Sequence, residues 1–423
     1  MLTLTYLRQR YPDSVRCPAT ICFLLTAAFA LKAQIPPSET LSPGDSKAFQ
    51  AEVERVKSLL ETAGDKCTVQ FALARTWASG GQWRQALDNL RQAIDLNVGL
   101  DPFNDETFRR LHGTNEYNLL LRQVRDSTPA VANSRAAFTI DKPDLFPEGI
   151  AWEPRRKRFF IGSTWGHNVM ECTAAGDCNP LVKNGQDGLF EVLGIKADTR
   201  DRSIWVASNS PGEAGLFHYE TPSGTLLRKF TLTRGSEHHY FNDIAVSSKG
   251  DVFVTDTQAG SVYWVSAATQ RLEIFDANLK VQAANGIAIS DDDKTLYVAG
   301  FPNGITVVDL ASGMSHAMKH PAGLCLGTID GLVYFKGSLI AIQNGIMTPR
   351  VVRFKLSPDF QEIAGFDVLE RRNPAFDGIS TGALADGAFY YIANTQADKL
   401  VNGRIRPNTQ LSPVQILRLD LAP

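Results

Sequence analysis

EGIAWEPRRKRFFIGSTW, residues 148–165, contains two short apolar runs separated by a polar turn, and units of this kind recur along the chain. The six copies of the second run are FIGSTW (160), IWVASN (204), VFVTDT (252), LYVAGF (296), LIAIQN (339) and YYIANT (390). Successive copies begin 44, 48, 44, 43 and 51 residues apart. A strand-only repeat of this period is typical of four-stranded blades around a central axis. The sequence therefore predicts an all-β, six-bladed β-propeller over residues 136–423.

The two ends of this β-rich region carry strand candidates that would close the propeller. These are AAFTI (136–140) and VQILRLDL (414–421). We expect them to share the last blade, because that pairing covers strand edges that would otherwise be exposed.

Residues 47–127 have a different pattern, with apolar residues at three- and four-residue steps that predict amphipathic helices. Within this small α-helical domain, residues 69–97 resemble one tetratricopeptide unit. The positions that carry this resemblance are Ala74, Trp77, Ala86, Leu90 and Ala93. One unit cannot bury its own faces, so we expect it to pack on neighbouring helices or on the propeller. A protein partner on the helical segment is an open alternative.

The N-terminus has the order of residues that is typical of a secretory signal peptide. Three arginines precede a short apolar run that ends in small residues, which predicts a signal peptide over residues 1–33. The apolar run is shorter than the ~20 residues that a spanning helix needs, so no stable membrane span is expected after cleavage. We expect residues 34–46 to be a linker and the protein to be exported, to the periplasm or outside the cell.

Four cysteines lie beyond the predicted signal peptide. Cys172 and Cys178 flank the polar turn of ECTAAGDC, which predicts a disulfide across a hairpin if the compartment is oxidising. Cys67 and Cys325 are expected to be buried small apolar residues.

The composition limits the classes of partner. Of the 423 residues 21% are charged, and the formal net charge is -2. Since there is no basic excess, the sequence predicts no nucleic-acid partner, and nothing indicates an anionic membrane surface.

Each repeat also has a short motif shortly before its second run. The six motifs are EGIAW (148), LGIKA (193), NDIAV (242), NGIAI (285), DGLVY (330) and DGIST (377). If these motifs begin the inner strands of the blades, their first residues face one another across the mouth of the channel. Five of the first residues are Glu, Asn or Asp, and Leu193 indicates that blade geometry does not itself require a polar residue.

Two interpretations of these polar residues are open. Asn-Gly and Asp-Gly are favoured turn dipeptides, so each could be local turn chemistry. Glutamate is a poor turn residue, however, and two carboxylates with two amide oxygens are the hard ligands that suit Ca²⁺, Mg²⁺ or Mn²⁺. Without a cation, Glu148 and Asp330 would repel each other, and one would be driven to protonate.

In their order at blade spacing, PEG in the first blade, ND in the third, NG in the fourth and DG in the fifth resemble the senescence-marker-protein/gluconolactonase family. Members of that family are six-bladed propellers that hold one divalent cation at the channel mouth and hydrolyse lactones or related esters. The resemblance implies that Glu148, Asn285 and Asp330 bind the metal, with Ca²⁺ first and Mg²⁺, Mn²⁺ or Zn²⁺ as alternatives. It also implies that Asn242 contacts the substrate or a water molecule beside the ion, and that Asp330 is the catalytic base.

Two positions depart from the family's pattern. The sugar-lactone enzymes carry an arginine where this chain has Tyr240, so a bidentate anchor for a hydroxylated or acidic substrate is missing. The segment YVAGFPNG also lacks an acidic residue that the family often has there. Both differences bear on the substrate more than on the metal.

Further candidates lie near the predicted mouth. His238, His239 and His167 are either bases beside the metal or solvated loop residues. His239, Tyr240 and Asp377 are candidates for contact with the substrate, together with Asn242. The sequence thus predicts a metal-dependent hydrolase of a small-molecule lactone or related ester. The alternative is a propeller that binds a ligand or a protein without catalysis.

Overall fold

The structure is a computed structural model. It describes residues 47–233, 238–345, 348–401 and 403–421. The predicted signal peptide and the predicted linker lie outside the described residues.

The described strands form a six-bladed β-propeller, as the repeat predicts. Each blade is an antiparallel sheet in which the first strand is innermost and the fourth is outermost. Blade one comprises β3 (Pro147–Glu153), β4 (Arg158–Ser163), β5 (Val169–Cys172) and β6 (Cys178–Val182). Blade two comprises β7 (Glu191–Asp198), β8 (Ser203–Asn209), β9 (Glu213–Glu220) and β10 (Leu226–Thr233). Blade three comprises β11 (Phe241–Val246), β12 (Val252–Asp256), β13 (Ser261–Val265) and β14 (Leu272–Ile274).

The remaining blades follow the same order. Blade four comprises β15 (Ile287–Ile289), β16 (Thr295–Gly300), β17 (Gly304–Asp309) and β18 (Ser315–Ala317). Blade five comprises β19 (Ile329–Phe335), β20 (Ser338–Gln343), β21 (Arg350–Leu356) and β22 (Ile363–Arg371), and the short strand β1 (Val131–Ala132) pairs with the outer edge of β22. Blade six comprises β23 (Gly382–Ala385), β24 (Ala388–Ile392), β27 (Val414–Asp420) and β2 (Arg135–Ile140). A short hairpin of β25 (Leu400–Val401) and β26 (Arg404–Ile405) lies between its second and third strands.

Blade six joins the two ends of the propeller. Strand β2 pairs antiparallel with β27, so that Phe138 lies opposite Ile416 and Ile140 lies opposite Val414. The predicted sharing of the last blade is therefore confirmed. The pairing covers an edge of β27 with backbone hydrogen bonds that the chain would otherwise leave open.

The hydrophobic core lies between neighbouring blades. On strand β3, Ile150 packs with Phe138 and Ile416 of blade six, whereas the next residue, Ala151, packs with Val206 and Phe217 of blade two. This alternation follows from the two-residue period of a strand, which sends successive side chains to opposite faces of the sheet. The inner strands are thereby fixed with their unpaired edges along the channel.

Four α-helices precede the propeller in the described chain. They are α1 (Lys47–Thr62), α2 (Cys67–Ser79), α3 (Trp83–Asp95) and α4 (Asn115–Ser127), with a 3₁₀ helix at Glu106–Leu111. Their own core includes Ala74, Ala86, Leu90 and Tyr117. No helix among the described residues is long and apolar enough to cross a membrane.

The helical segment docks on the face of the propeller where the inner strands begin. Asp65 accepts the backbone N–H of Leu326, which lies in the loop before β19. The buried guanidinium of Arg350, at the start of β21, donates to Val98 O (2.8 Å) and to Gln343 Oε1 (2.8 Å). Arg372, just after β22, donates to Asp101 (2.7 Å). The helices therefore border blades four and five on the same side as the polar residues of the channel mouth.

The cysteines differ in part from expectation. Cys172 and Cys178 lie opposite each other on β5 and β6 and form a disulfide. Cys67 and Cys325 are buried, as expected, but they are also joined in a disulfide, across a sequence separation of 258 residues. No sequence pattern links these two cysteines, because one belongs to a helix and the other to a propeller loop.

Candidate metal centre

The inner strands begin with an irregularity that holds the polar residues at the channel. On β3 the register with β4 shifts between Pro147 and Ile150, so that Glu148 and Gly149 together oppose one residue. The same shift occurs on β7, β11 and β19. A bulge of this kind re-aims a side chain out of the regular sheet. We call its first residue the ring position, which is Glu148, Leu193, Asn242 or Asp330 in blades one, two, three and five. The register of β15 with β16 shows no such shift, and the ring position of blade four is Asn285, two residues before β15 begins.

The glycine after most ring positions is required by close packing between blades. A Cβ at Gly149 would lie 2.0 Å from Leu193 O, and one at Gly286 would lie 2.4 Å from Asp330 O. Neither glycine has a positive φ angle. Gly149 and Gly286 therefore permit neighbouring inner strands to approach, and the turn interpretation is not supported at these two positions. Gly378, after Asp377, does have a positive φ angle of 81°, as a turn glycine would.

Three ring residues present buried oxygens that accept no hydrogen bond from the described part of the chain. Glu148, Asn285 and Asp330 are 1%, 8% and 0% exposed. Both carboxylate oxygens of Glu148, Asn285 Oδ1 and Asp330 Oδ1 have no hydrogen-bond partner among the described residues. Buried polar atoms without a partner are rare and costly. These four oxygens are the hard donor set that a divalent cation takes, so the residues present fit such an ion.

The charges of the two carboxylates are mutually unfavourable. Burial, together with the charges of Asp330 and Asp243, raises the pKa of Glu148 well above its usual range. Burial raises the pKa of Asp330 to about 7, although a side-chain hydrogen bond from Asn344 lowers it and the charge of Asp243 raises it further. The two groups therefore face each other closely enough to interact, and a cation between them would remove the repulsion.

Two asparagines orient the site. Asn344, directly after β20, donates through Nδ2 to Asp330 Oδ2 and to Ile379 O, which leaves Asp330 Oδ1 toward the other ring residues. Asn242 donates through Nδ2 to Thr257 Oγ1 (3.1 Å), so that its Oδ1 is the end directed elsewhere. Sequence reasoning missed Asn344, although its place as the polar residue at the end of LIAIQN, the second run of blade five, was a usable signal.

Sequence reasoning also missed two charged residues beneath the ring. Asp243 follows the ring position of blade three, where blades one, two, four and five have glycine, and its carboxylate accepts the backbone N–H of Ile287 (3.2 Å). Lys196 lies on β7, and both residues line one small cavity in the channel. Burial raises the pKa of Asp243 to about 6, against the opposing charge of Lys196.

Blade six corrects the sequence alignment. Asp377 does not join the ring, because its carboxylate forms an ion pair with Lys399 (2.8 Å). The residues that reach blade one are Ser380 and Thr381, whose hydroxyls donate to Glu148 O at 2.9 and 2.6 Å. The inner strand of this blade begins only at Gly382, so the matching dipeptide lies outside it. The predicted contact of Asp377 with substrate loses its basis.

The loop before β11 places one histidine against a carboxylate. His239 Nδ1 lies 2.6 Å from Oδ2 of the fully buried Asp256, and the Asp256 carboxylate also accepts the backbone N–H of Tyr240 (3.0 Å). The neighbouring His238 is exposed. His239 is thus a fixed residue of a His–Asp pair rather than a solvated loop residue.

The other two candidates at this mouth contact protein groups. Tyr240 donates through its hydroxyl to Glu191 Oε2 (3.3 Å). His167 stacks on Phe190 with ring centroids 4.0 Å apart, and burial lowers its pKa. The structure therefore gives His167 a neutral packing role in the loop between β4 and β5.

A second cluster of potential metal ligands has a different explanation. Asp65, Cys67 and Cys325 bring their ligand atoms within 4.8 Å of one another. The two sulfurs are joined in a disulfide, and Asp65 accepts the N–H groups of Cys67 and Leu326. This cluster fastens the helical segment to the propeller.

The raised pKa values predict a pH dependence of the metal-free protein. The folded protein holds protons on Glu148 and Asp330 that the unfolded chain releases near pH 4. Stability from these two groups is therefore complete below about pH 4 and is lost as the pH rises through about 7. We expect the melting temperature in chelator to fall between pH 5 and pH 8 by more in the wild type than in Glu148→Gln. Equal slopes in differential scanning fluorimetry would contradict the coupling.

Residues 146–334 match the family model of the SMP-30/Gluconolactonase/LRE-like region. No curated protein sequence matches the chain.

Among solved structures the chain is similar to enzymes of several kinds. One is a gluconolactonase from Xanthomonas campestris, with 16% identity, a TM-score of 0.49 and coverage of 69% of this chain and 91% of that chain. Another is the PQQ-bound aldose sugar dehydrogenase from Streptomyces coelicolor, with 15% identity, a TM-score of 0.47 and coverage of 69% and 98%. A third is virginiamycin B lyase from Staphylococcus aureus, with 15% identity, a TM-score of 0.43 and coverage of 60% and 79%.

Proposed function

With residues 146–334 forming an SMP-30/gluconolactonase/LRE-like region, we propose that this propeller is a metal-dependent hydrolase of a lactone or related ester. The observation that carries the proposal is the set of four buried oxygens on Glu148, Asn285 and Asp330 without a hydrogen-bond partner among the described residues. These residues would hold one divalent cation, for which Ca²⁺ suits the oxygen donors best and Mg²⁺, Mn²⁺ or Zn²⁺ are alternatives. A bound cation would polarise the lactone carbonyl and acidify water beside it.

Residues of the chain itself supply the catalytic base and the groups that orient the substrate or the attacking water. Asp330 accepts the proton of the attacking water at Oδ1, because Asn344 holds the other carboxylate oxygen. Asn242, fixed through Thr257, directs its side-chain oxygen at the substrate or at water. His239 is a second candidate base, since Asp256 fixes the orientation of its ring through Nδ1.

The substrate class follows from what lines the mouth. Tyr240 occupies the position at which the sugar-lactone enzymes carry arginine, and its hydroxyl is bonded to Glu191. An acidic or densely hydroxylated lactone would lack a bidentate cationic anchor there. We propose a small, uncharged lactone or ester, for which the aromatic ring of Tyr240 offers an apolar contact.

The alternative function is binding without catalysis, by a protein partner on the helical segment. Its support is the exposure of three large apolar side chains on that segment, Leu96, Phe103 and Leu119, which are 43%, 48% and 57% exposed. Scattered apolar residues of this kind are common on surfaces, so we rank this function second.

We propose that the protein is exported to the periplasm or outside the cell. The support is the signal-like N-terminal sequence together with the two disulfides, which persist in oxidising compartments. The formal net charge of the chain is -2, which does not favour nucleic acid as a partner.

Hydrolysis across a panel of lactones tests the proposal. Chelator-treated protein would be assayed on aliphatic and sugar lactones and on aryl esters, with and without added Ca²⁺ or Mn²⁺. We expect turnover that is lost in chelator and restored by the ion, and that is faster for uncharged aliphatic lactones than for sugar lactones. Metal binding without turnover of any compound would remove the catalytic assignment and favour the binding function.

A further inference from the structure

The channel contains three carboxylates in electrostatic contact. Glu148 and Asp330 lie at the ring position, and Asp243 lies one residue beyond it in blade three. The charge of Asp243 acts on both of the others. Backbone and amide groups donate to Asp243 and Asp330, but hydrogen bonds of neutral donors do not cancel a formal charge. The ionised set carries three negative charges.

Among the residues that the structure describes, Lys196 is the cationic side chain whose charge acts on this set. Lys196 lies one residue after the bulge of blade two, and with Asp243 it lines a small enclosed cavity together with Ile150 and Leu332. Its charge acts on Asp243, and the charge of Asp243 acts on it in turn. The charge of Lys196 therefore acts on the carboxylates inside the channel.

Lys196 is half-buried between this small cavity and the far end of the channel. It also lines a cavity of about 230 Å³, whose other walls are mainly apolar and include Trp152, Ile289 and Leu384. The side chain of Lys196 thus lies between the carboxylates and an otherwise uncharged cavity. Burial lowers the pKa of Lys196, and the charge of Asp243 opposes that shift and favours the ammonium form.

The charges balance when one divalent cation is present. Three carboxylates contribute three negative charges, the ion contributes two positive charges, and Lys196 contributes the third. A second divalent ion would give the channel an excess of positive charge, which a low-dielectric environment penalises strongly.

We propose that Lys196 is the fixed counter-charge of the channel, which occupies the place of a second cation beside Asp243 and sets both the affinity and the stoichiometry of the metal centre. This inference rests on the proposed metal-binding function. In this inference Asp243 and Lys196 influence metal binding through their charges, and neither is a direct ligand of the ion.

A charge cycle of four proteins tests the inference. In the ionised state that binds metal, the three carboxylates and Lys196 together carry -2 in the wild type, and Lys196→Met makes this charge more negative by one. Asp243→Asn makes it less negative by one charge, and the double variant Asp243→Asn/Lys196→Met returns it to the wild-type value. Calorimetric titration of the chelator-treated proteins with Ca²⁺ and with Mn²⁺ measures the dissociation constant and the number of ions bound.

The expected order of affinity follows the charge. Lys196→Met binds the first ion at least about tenfold more tightly than the wild type, and it takes up a second, weaker ion. Asp243→Asn binds at least about tenfold more weakly, and the double variant binds one ion with an affinity close to that of the wild type. If Lys196→Met does not fold, the comparison of Asp243→Asn with the double variant still requires that removal of Lys196 restores affinity.

The outcomes separate this inference from the function on which it rests. A wild type that binds neither ion would overturn the metal centre itself. A wild type that binds one ion, with variants that bind it equally well, would overturn the role of Lys196 alone. Tighter binding by the double variant than by Lys196→Met would contradict the charge count.

Discussion

Replacement of Asp330 by asparagine is expected to lower lactone hydrolysis by about a thousandfold or more, since it removes a metal ligand and the candidate base together. The same change should weaken Ca²⁺ binding by at least about a hundredfold. Asparagine has nearly the same shape and still accepts the hydrogen bond from Asn344. It also relieves the repulsion with Glu148, so the metal-free variant should melt at a higher temperature than the wild type at pH 8.

The opposite signs of these effects distinguish a functional carboxylate from a structural one. Asp377→Asn is the matched control, because the sequence motif is the same Asp-Gly but the side chain pairs with Lys399 outside the ring. We expect that control to keep hydrolysis and Ca²⁺ affinity within about twofold of the wild type. Assays with calorimetry and thermal melts in chelator measure all three quantities. If Asp330→Asn melts lower and still hydrolyses, the ring is structural.

Removal of the Cys67–Cys325 disulfide is the second large effect that we expect. Its loop spans 258 residues, and the chain-entropy model gives a stabilisation of about 5 kcal/mol for a loop of this size. The bond also fixes the loop that precedes Asp330, and Asp65 is bonded to that loop beside it. The Cys67→Ser/Cys325→Ser variant should therefore lose stability and also bind metal more weakly.

A matched control is provided by the other disulfide. Cys172 and Cys178 close a loop of only six residues in the outer half of blade one, for which the same model gives about 2 kcal/mol. The Cys172→Ser/Cys178→Ser variant should lose less stability and leave metal affinity unchanged. Urea unfolding and Ca²⁺ titration of both variants measure the difference. Equal losses from the two disulfides would argue against a docking role for the first.

The fold was predictable because its signals are local and repeated. A strand's two-residue period, the small and polar residues after each second run, and the spacing between copies all recur within a window of one blade. The closing pair β2 and β27 was predictable because both segments would otherwise leave open edges. The five ring positions of blades one to five followed from the same repeat.

The sixth position was not predictable from the motif. In blade six the inner strand begins at Gly382, and Ser380 and Thr381 occupy the contact with Glu148, whereas Asp377 lies before the strand. An irregular stretch of a few residues does not change the apolar pattern of the blade, but it moves a dipeptide out of the channel. Sequence spacing alone cannot separate these two cases.

The six blades, their closure and the polar residues at the ring position can be read from the chain alone, because a repeated strand pattern places equivalent residues at equivalent radius and height. Three further contacts are visible only in the folded molecule, and they are Asp243 and Lys196 beneath the ring, Asn344 on Asp330, and Cys67 with Cys325. The first joins two blades, the second joins two strands of blade five, and the third joins the helical segment to the propeller. Their geometry depends on how these parts pack together, and no repeat along the chain encodes that packing.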